Sequence, residues 1–222
     1  MATIVLVPGA FHGGWYYSPI LPELRAAGHD VHALSLSGLA GPAGRPSAMI
    51  NLDTHIEDVI SYIELEKLDN IVLCGHSYGG MVIAGAAERL HGKVRTLLFL
   101  DALAPNDGES VWSTWAPAVR DRFIENAGDG LYTAPPPGID PRARAHPVAT
   151  FLQPVRLTDK AYAVKNRVYA WCKRDAGSPF EAIHNRVASE SGWVTHILPC
   201  GHDFMNDSPA LARDLILETA EL

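Results

Sequence analysis

The sequence predicts an α/β fold built on a mostly parallel sheet of six strands with helices on its faces. Two observations carry this expectation. Short, continuously apolar runs recur along the chain, separated by helical patterns, as strands buried on both faces require. One of these runs, within Asn70-Ile71-Val72-Leu73-Cys74, ends in Gly75-His76-Ser77-Tyr78-Gly79-Gly80, and a helical pattern follows at once. That is the sequence form of a tight strand-to-helix turn that thrusts a serine hydroxyl out of the backbone.

The elements follow in order. Thr3–Val7 is a strand, stopped by the glycine-rich loop Pro8-Gly9-Ala10-Phe11-His12-Gly13-Gly14-Trp15. Leu21, Leu24 and Arg25 mark a helix closed by Gly28, and Asp30–Leu36 reads as a second strand. A Gly-, Pro- and Ser-rich loop runs over Ser37–Ser47. Asp53 or Thr54 can cap a helix carrying Ile56, Val59, Ile60 and Ile63 at helical spacing. After the Ser77 turn, Ser77–Leu90 reads as a helix of small residues, and Val94–Leu100 as a strand ending at Asp101. Residues 105–160 change character: prolines are frequent, Trp112, Trp115, Phe123 and Tyr132 stand among them, and no buried-strand run appears. This stretch reads as a cap inserted into one domain of residues 1–222, helical around Glu109–Asn126, with Pro135-Pro136-Pro137 as a stiff segment. Strands resume at Arg167–Cys172 and Trp193–Leu198, and a helix runs from about Ser208 to the C-terminus.

Composition narrows the partners. The 222 residues are 47% apolar and 19% charged, enough to bury a proper core. The net charge of −7 argues against nucleic acid or an acidic membrane surface. No apolar run approaches the roughly 20 residues that span a bilayer. Met1-Ala2-Thr3 leads directly into a strand, so no signal peptide is expected. Cys74, Cys172 and Cys200 are an odd, scattered set that reads as three small buried hydrophobes in a reducing cytoplasm. No metal site is expected, and a homodimer is compatible with the sequence.

Ser77 needs a base, and the base needs an orienting acid. The base candidate is His202, in the loop between the last strand and the last helix. His76 is expected to pack beneath the turn and His12 to line a pocket. His29, His32, His55, His91, His146, His184 and His196 are expected on surfaces, strand faces or the cap. Two aspartates compete for the third role: Asp175, after the strand Arg167–Cys172, is preferred, and Asp101 is the alternative. The oxyanion donors should be the backbone N–H of Tyr78 and one from the glycine loop, Ala10 before Phe11. Phe11, His12, Trp15, Tyr16, Trp112 and Trp115 are expected to shape an apolar substrate pocket.

These motifs, with Leu52-Asp53-Thr54-His55-Ile56 and Leu100-Asp101-Ala102, resemble the α/β-hydrolase branch of methyl-salicylate-type esterases, hydroxynitrile lyases and bacterial esterase relatives. The resemblance implies the α/β-hydrolase fold with a small helical cap, no cofactor and a Ser-His-Asp triad. It favours Asp175 by position, while bacterial relatives with Leu-Asp-Ala keep Asp101 open. Lyases of this branch carry a lysine after the catalytic histidine and a threonine in the first loop; here Asp203 and Gly9 stand there, which disfavours a lyase. The expected activity is hydrolysis of a small, largely apolar carboxylic ester, lactone or thioester. A cyclising or acyl-transferring enzyme, and a non-catalytic ligand-binding protein, are the alternatives.

Overall fold

The computed structural model describes residues 1–39, 49–90, 92–128, 130–175 and 178–222, and of Asp175 the backbone alone. Most of the loop expected over Ser37–Ser47 therefore lies outside the described residues, as do His91 and the Asp175 side chain. In order, the elements are β1 (Thr3–Val7), a 3-10 turn (Gly14–Tyr17), α1 (Leu21–Ala26), β2 (Asp30–Ala33), α2 (Leu52–Leu65), β3 (Ile71–His76), α3 (Gly79–Arg89) and β4 (Val94–Leu100). There follow α4 (Val111–Thr114), α5 (Pro117–Asn126), β5 (Tyr132–Thr133), β6 (His146–Pro147) and α6 (Ala149–Leu152). The chain ends with β7 (Asn166–Cys172), a 3-10 turn (Lys173–Asp175), α7 (Pro179–Ala188), β8 (Trp193–Leu198), α8 (Phe204–Asp207) and α9 (Pro209–Ala220).

Six strands form one sheet in the order β2-β1-β3-β4-β7-β8, and every neighbouring pair is parallel. The apolar runs are buried on both faces, as a parallel sheet covered by helices demands. Val5, Val7, Leu73, Leu97 and Phe99 point into a core shared with α2 and α3. Their neighbours Ile4, Leu6, Val72, Leu98 and Leu100 point into a second core shared with α1 and α9. The chain order reverses direction between β1 and β3, so the crevice beyond their carboxyl ends is the switch point where open α/β sheets bind ligands.

Several elements differ from expectation. The second strand stops at Ala33, three residues early. The α2 cap is Asn51, not Asp53 or Thr54: its side chain accepts the Thr54 N–H while the Thr54 hydroxyl accepts the Asn51 N–H. The helical stretch around Glu109–Asn126 is two helices, because Pro117 cannot continue α4 and instead opens α5. The segment between β4 and β7 also contains a two-residue antiparallel pair, Tyr132–Thr133 with His146–Pro147. Helix α7 was not expected, although Pro179 at its start and Phe180, Ile183 and Val187 at helical spacing mark it.

The three cysteines are buried as expected, and two of them meet in space. The Sγ atoms of Cys172 and Cys200 lie 3.3 Å apart, brought together where β7 and the loop after β8 end side by side. No helix among the described residues is long and apolar enough to cross a membrane.

Candidate active site

Sheet register assembles the site. Val7 pairs with Gly75, and His76 with Leu100, so the chain leaves β1, β3 and β4 at one level. The residues leaving β3 and β4 are Ser77 and Asp101, side by side. Ser77 sits at φ 54°, in the left-handed region that few non-glycine residues adopt, as a nucleophile turn requires. Two glycines permit it. A Cβ on Gly75 would lie 2.7 Å from the Gly79 carbonyl oxygen, and one on Gly79 would lie 2.6 Å from the Val7 carbonyl oxygen. Both are backbone contacts that could not give way.

The hydroxyl of Ser77 donates to His202 Nε2 at 2.9 Å, and His202 Nδ1 donates to Asp101 Oδ2 at 2.6 Å. A carboxylate accepts only, so it assigns the proton to Nδ1 and leaves Nε2 as the acceptor facing Ser77. Asp101 is fully buried, with φ 43°, and its second oxygen accepts the Cys172 N–H at 2.9 Å. The aspartate seen against His202 is thus Asp101, the alternative; the backbone of the preferred Asp175 lies in the turn after β7, and its side chain is outside the described residues.

Phe180 and His76 also hold His202. Its ring stacks on Phe180 at 4.7 Å and lies 4.7 Å from the ring of His76. The Nε2–H of His76 donates to the His202 carbonyl at 3.0 Å. His76 does pack beneath the turn, and burial pushes its pKa well below the ordinary histidine value, helped by nearby His202 and His12. Phe180 belongs to the unexpected helix α7, so its role had no sequence signal beyond that helix.

Of the expected oxyanion donors, the N–H groups of Tyr78 and Ala10 donate to no protein acceptor among the described residues. The N–H of Phe11 is different. It is engaged, donating to His146 Nδ1 at 3.2 Å, which removes Phe11 as the second choice. Tyr78 is anchored through its phenol, which donates to His55 Nδ1 at 2.8 Å while His55 Nε2 donates to the Ser37 carbonyl at 2.9 Å. His55 is therefore completely buried rather than superficial.

A cavity of about 190 Å³ opens beside Ser77 and His202, lined in part by Ala10, Phe11, His12, Tyr16, Ile139 and Asp203. Pro136 of the proline triplet also lines it. Trp15 does not; it packs against His12 beneath the Arg142 guanidinium. Trp112 and Trp115 line a second, apolar cavity of about 360 Å³ instead, whose wall includes Phe151, the ring stacked on His146. Among the described residues, no group of three or more His, Cys, Asp or Glu could hold a metal ion.

The profile of the alpha/beta hydrolase family matches residues 4–214. The chain belongs to that family. Within it, the chain is 36% identical to a carbendazim hydrolyzing esterase of Nocardioides sp. (strain SG-4G), over 94% of this chain and 96% of that one. It is 34% identical to an alpha-hydroxynitrile lyase of Arabidopsis thaliana, over 56% of this chain and 46% of the lyase. An extracellular alpha/beta-hydrolase from a Paenibacillus species superposes over 100% of both chains with a TM-score of 0.83 at 18% identity, which shows the shared fold. The α/β-hydrolase fold thus accounts for the parallel sheet and for the sharp turn that carries Ser77.

Burial makes the family site sensitive to acid. His55, His76 and His146 are buried, and burial holds all three below the ordinary histidine pKa. As pH falls through about 6.5, the unfolded chain takes up these protons first, so native stability is full above that value and is lost below it. Each group steepens the loss by up to about 1.4 kcal/mol per pH unit. The carboxyl of Asp140, held down to about 2 by Arg142, acts only at far lower pH. Urea denaturation at pH 7.5 and 5.5 should show lower stability at 5.5, with a shallower dependence in His55→Asn; stability that holds level or rises would refute the neutral, buried assignment.

Proposed function

We propose that this carboxylic ester hydrolase works through an acyl-enzyme on Ser77 and acts on small, largely apolar esters. The observation that carries the reading is the continuous chain of hydrogen bonds Ser77–His202–Asp101 at the mouth of a small cavity. Ser77 Oγ attacks the ester carbonyl as its proton passes to His202 Nε2. Asp101 holds the imidazole and stabilises the imidazolium that forms. The carbonyl oxygen, now negative, is received by the N–H groups of Ala10 and Tyr78. His202 then protonates the departing alkoxide, and a water that it deprotonates clears the acyl group.

The cavity is smaller than the few hundred cubic ångströms usual for drug-sized ligands, which favours a short acyl or alcohol part. Residues 105–160 act as the cap, supplying Pro136 and Ile139 to the cavity wall. The hydrolysis of carbendazim by the bacterial relative, known from its name, supports a compact ester as substrate. Gly9 and Asp203, at the positions where related lyases place threonine and lysine, favour hydrolysis over cyanohydrin cleavage. Three cysteines outside any disulfide suit a reducing cytoplasm.

Rapid mixing with p-nitrophenyl acetate and p-nitrophenyl palmitate tests this reading. The acetate should give a burst of p-nitrophenol near one equivalent per chain followed by slower turnover, and the palmitate little of either. No turnover of either ester, with no labelling of Ser77 by a serine-directed phosphonate, would refute it.

A further inference from the structure

The two oxyanion donors are supported by different parts of the molecule. Tyr78 opens helix α3 and is tied down by its phenol. Ala10 lies in an irregular loop, and the residue after it, Phe11, has φ 69°, a left-handed conformation that is strained for a bulky side chain. Something must over-determine that loop.

The clamp comes from residues 144–146. The Phe11 N–H donates to His146 Nδ1 at 3.2 Å, and the Phe11 carbonyl accepts the Arg144 N–H at 2.9 Å. On the other side of the same peptide unit, the Ala10 carbonyl accepts from His12 Nδ1 at 2.7 Å. Both polar groups of the Ala10–Phe11 peptide are therefore occupied, which leaves the Ala10 N–H as the donor next in line toward Ser77.

The tautomer of His146 follows from its partners. An N–H can only donate, so Nδ1 carries the lone pair and the proton sits on Nε2. Nε2 donates to Thr150 Oγ1 at 2.9 Å, and the Thr150 hydroxyl donates to the Pro147 carbonyl at 2.8 Å. The ring is completely buried, stacks on Phe151 at 4.4 Å and meets Tyr78 edge-on at 4.8 Å. Burial keeps it neutral, as the acceptor role requires. One histidine thus touches the residue beside one oxyanion donor and the ring of the other.

We propose that His146 is a positioning residue for the oxyanion hole, accepting the Phe11 N–H so that the cap segment fixes where the Ala10 N–H points. This rests on the acyl-enzyme reading for its effect on rate, though the clamp itself can be read without turnover. His146→Asn and His146→Gln separate the two ends of the ring. The asparagine carbonyl reaches the place of Nδ1 and can still accept from Phe11. The glutamine amide reaches the place of Nε2 and can still donate to Thr150, but leaves the Phe11 N–H without its acceptor.

With p-nitrophenyl acetate, His146→Gln should lose about 10²-fold in kcat, approaching the loss of an oxyanion donor, with little change in KM. His146→Asn should stay within about tenfold of the wild type, although both variants lose comparable thermal stability. Amide exchange followed by NMR should show Phe11 protected in the wild type and His146→Asn and unprotected in His146→Gln. Equal kcat in the two variants, or a loss confined to KM, would overturn the positioning role. Equal Phe11 protection would overturn the clamp. If the wild type turned over no ester, the proposed function would fall, and the exchange comparison would still decide whether His146 holds the loop.

Discussion

Replacing Ser77 by alanine should lower kcat for an activated ester by about 10⁵- to 10⁶-fold, the scale of loss when a triad nucleophile is removed. The size follows from what the residue does. In the proposed acyl-enzyme mechanism its oxygen makes the bond that splits one hard displacement into two easier ones, and water in its place would have neither that position nor His202 Nε2 at 2.9 Å. The loss should stop short of the uncatalysed rate, because the Ala10 and Tyr78 N–H groups remain to hold an oxyanion. Fold stability should change little: alanine keeps the Cβ, and the backbone at φ 54° is held by the Ser77 carbonyl, which accepts from Gly80 and Leu103. Steady-state kinetics with thermal melts check both halves. A variant that retained a tenth of wild-type turnover would remove Ser77 from the chemistry.

Much of this arrangement is legible in the sequence, for definable reasons. Strands β1 and β3 and the Leu97–Leu100 end of β4 read as apolar runs because both faces of the sheet are covered there. The turn at Ser77 announces itself because its geometry excludes side chains at Gly75 and Gly79. His202 is found by its place after the last strand. The third partner was harder. Asp101 and Asp175 both follow strands, and only the pairing of His76 with Leu100 shows that residue 101 lands beside Ser77. Register is a property of two strands together and leaves no local trace.

The buried histidines escaped for a related reason. Nothing beside His55 or His146 in the chain marks either as buried, yet each has both ring nitrogens satisfied, His55 by Tyr78 and Ser37 and His146 by Phe11 and Thr150. Burial of a satisfied polar side chain is a tertiary fact. Trp112 and Trp115 read from the sequence as pocket aromatics, whereas the structure places them on a separate cavity that they share with Phe151. Helix α7 was within reach, since Pro179 and the spacing of Phe180, Ile183 and Val187 carry a helix signature.

Exchanging Asp101 for asparagine should cost about 10⁴-fold in kcat, the penalty for presenting the wrong histidine tautomer to the nucleophile. The surrounding hydrogen bonds dictate how that happens. The Cys172 N–H needs an acceptor, so the amide oxygen of the asparagine stays where Asp101 Oδ1 now lies. Its NH₂ must then face His202 Nδ1 and donate to it. Nδ1 becomes the lone-pair nitrogen, the ring proton moves to Nε2, and the histidine can no longer take the proton of Ser77. The asparagine is nearly the same size, so the site should keep its shape while it loses its base.

Whether Ser77 and His202 work with Asp101 as their third member is decided by the paired kcat values of Asp101→Asn and Asp175→Asn. Asp101→Asn should lose about 10⁴-fold, and Asp175→Asn should stay within about tenfold of wild type. A crippled Asp175→Asn beside an active Asp101→Asn would contradict this role for Asp101.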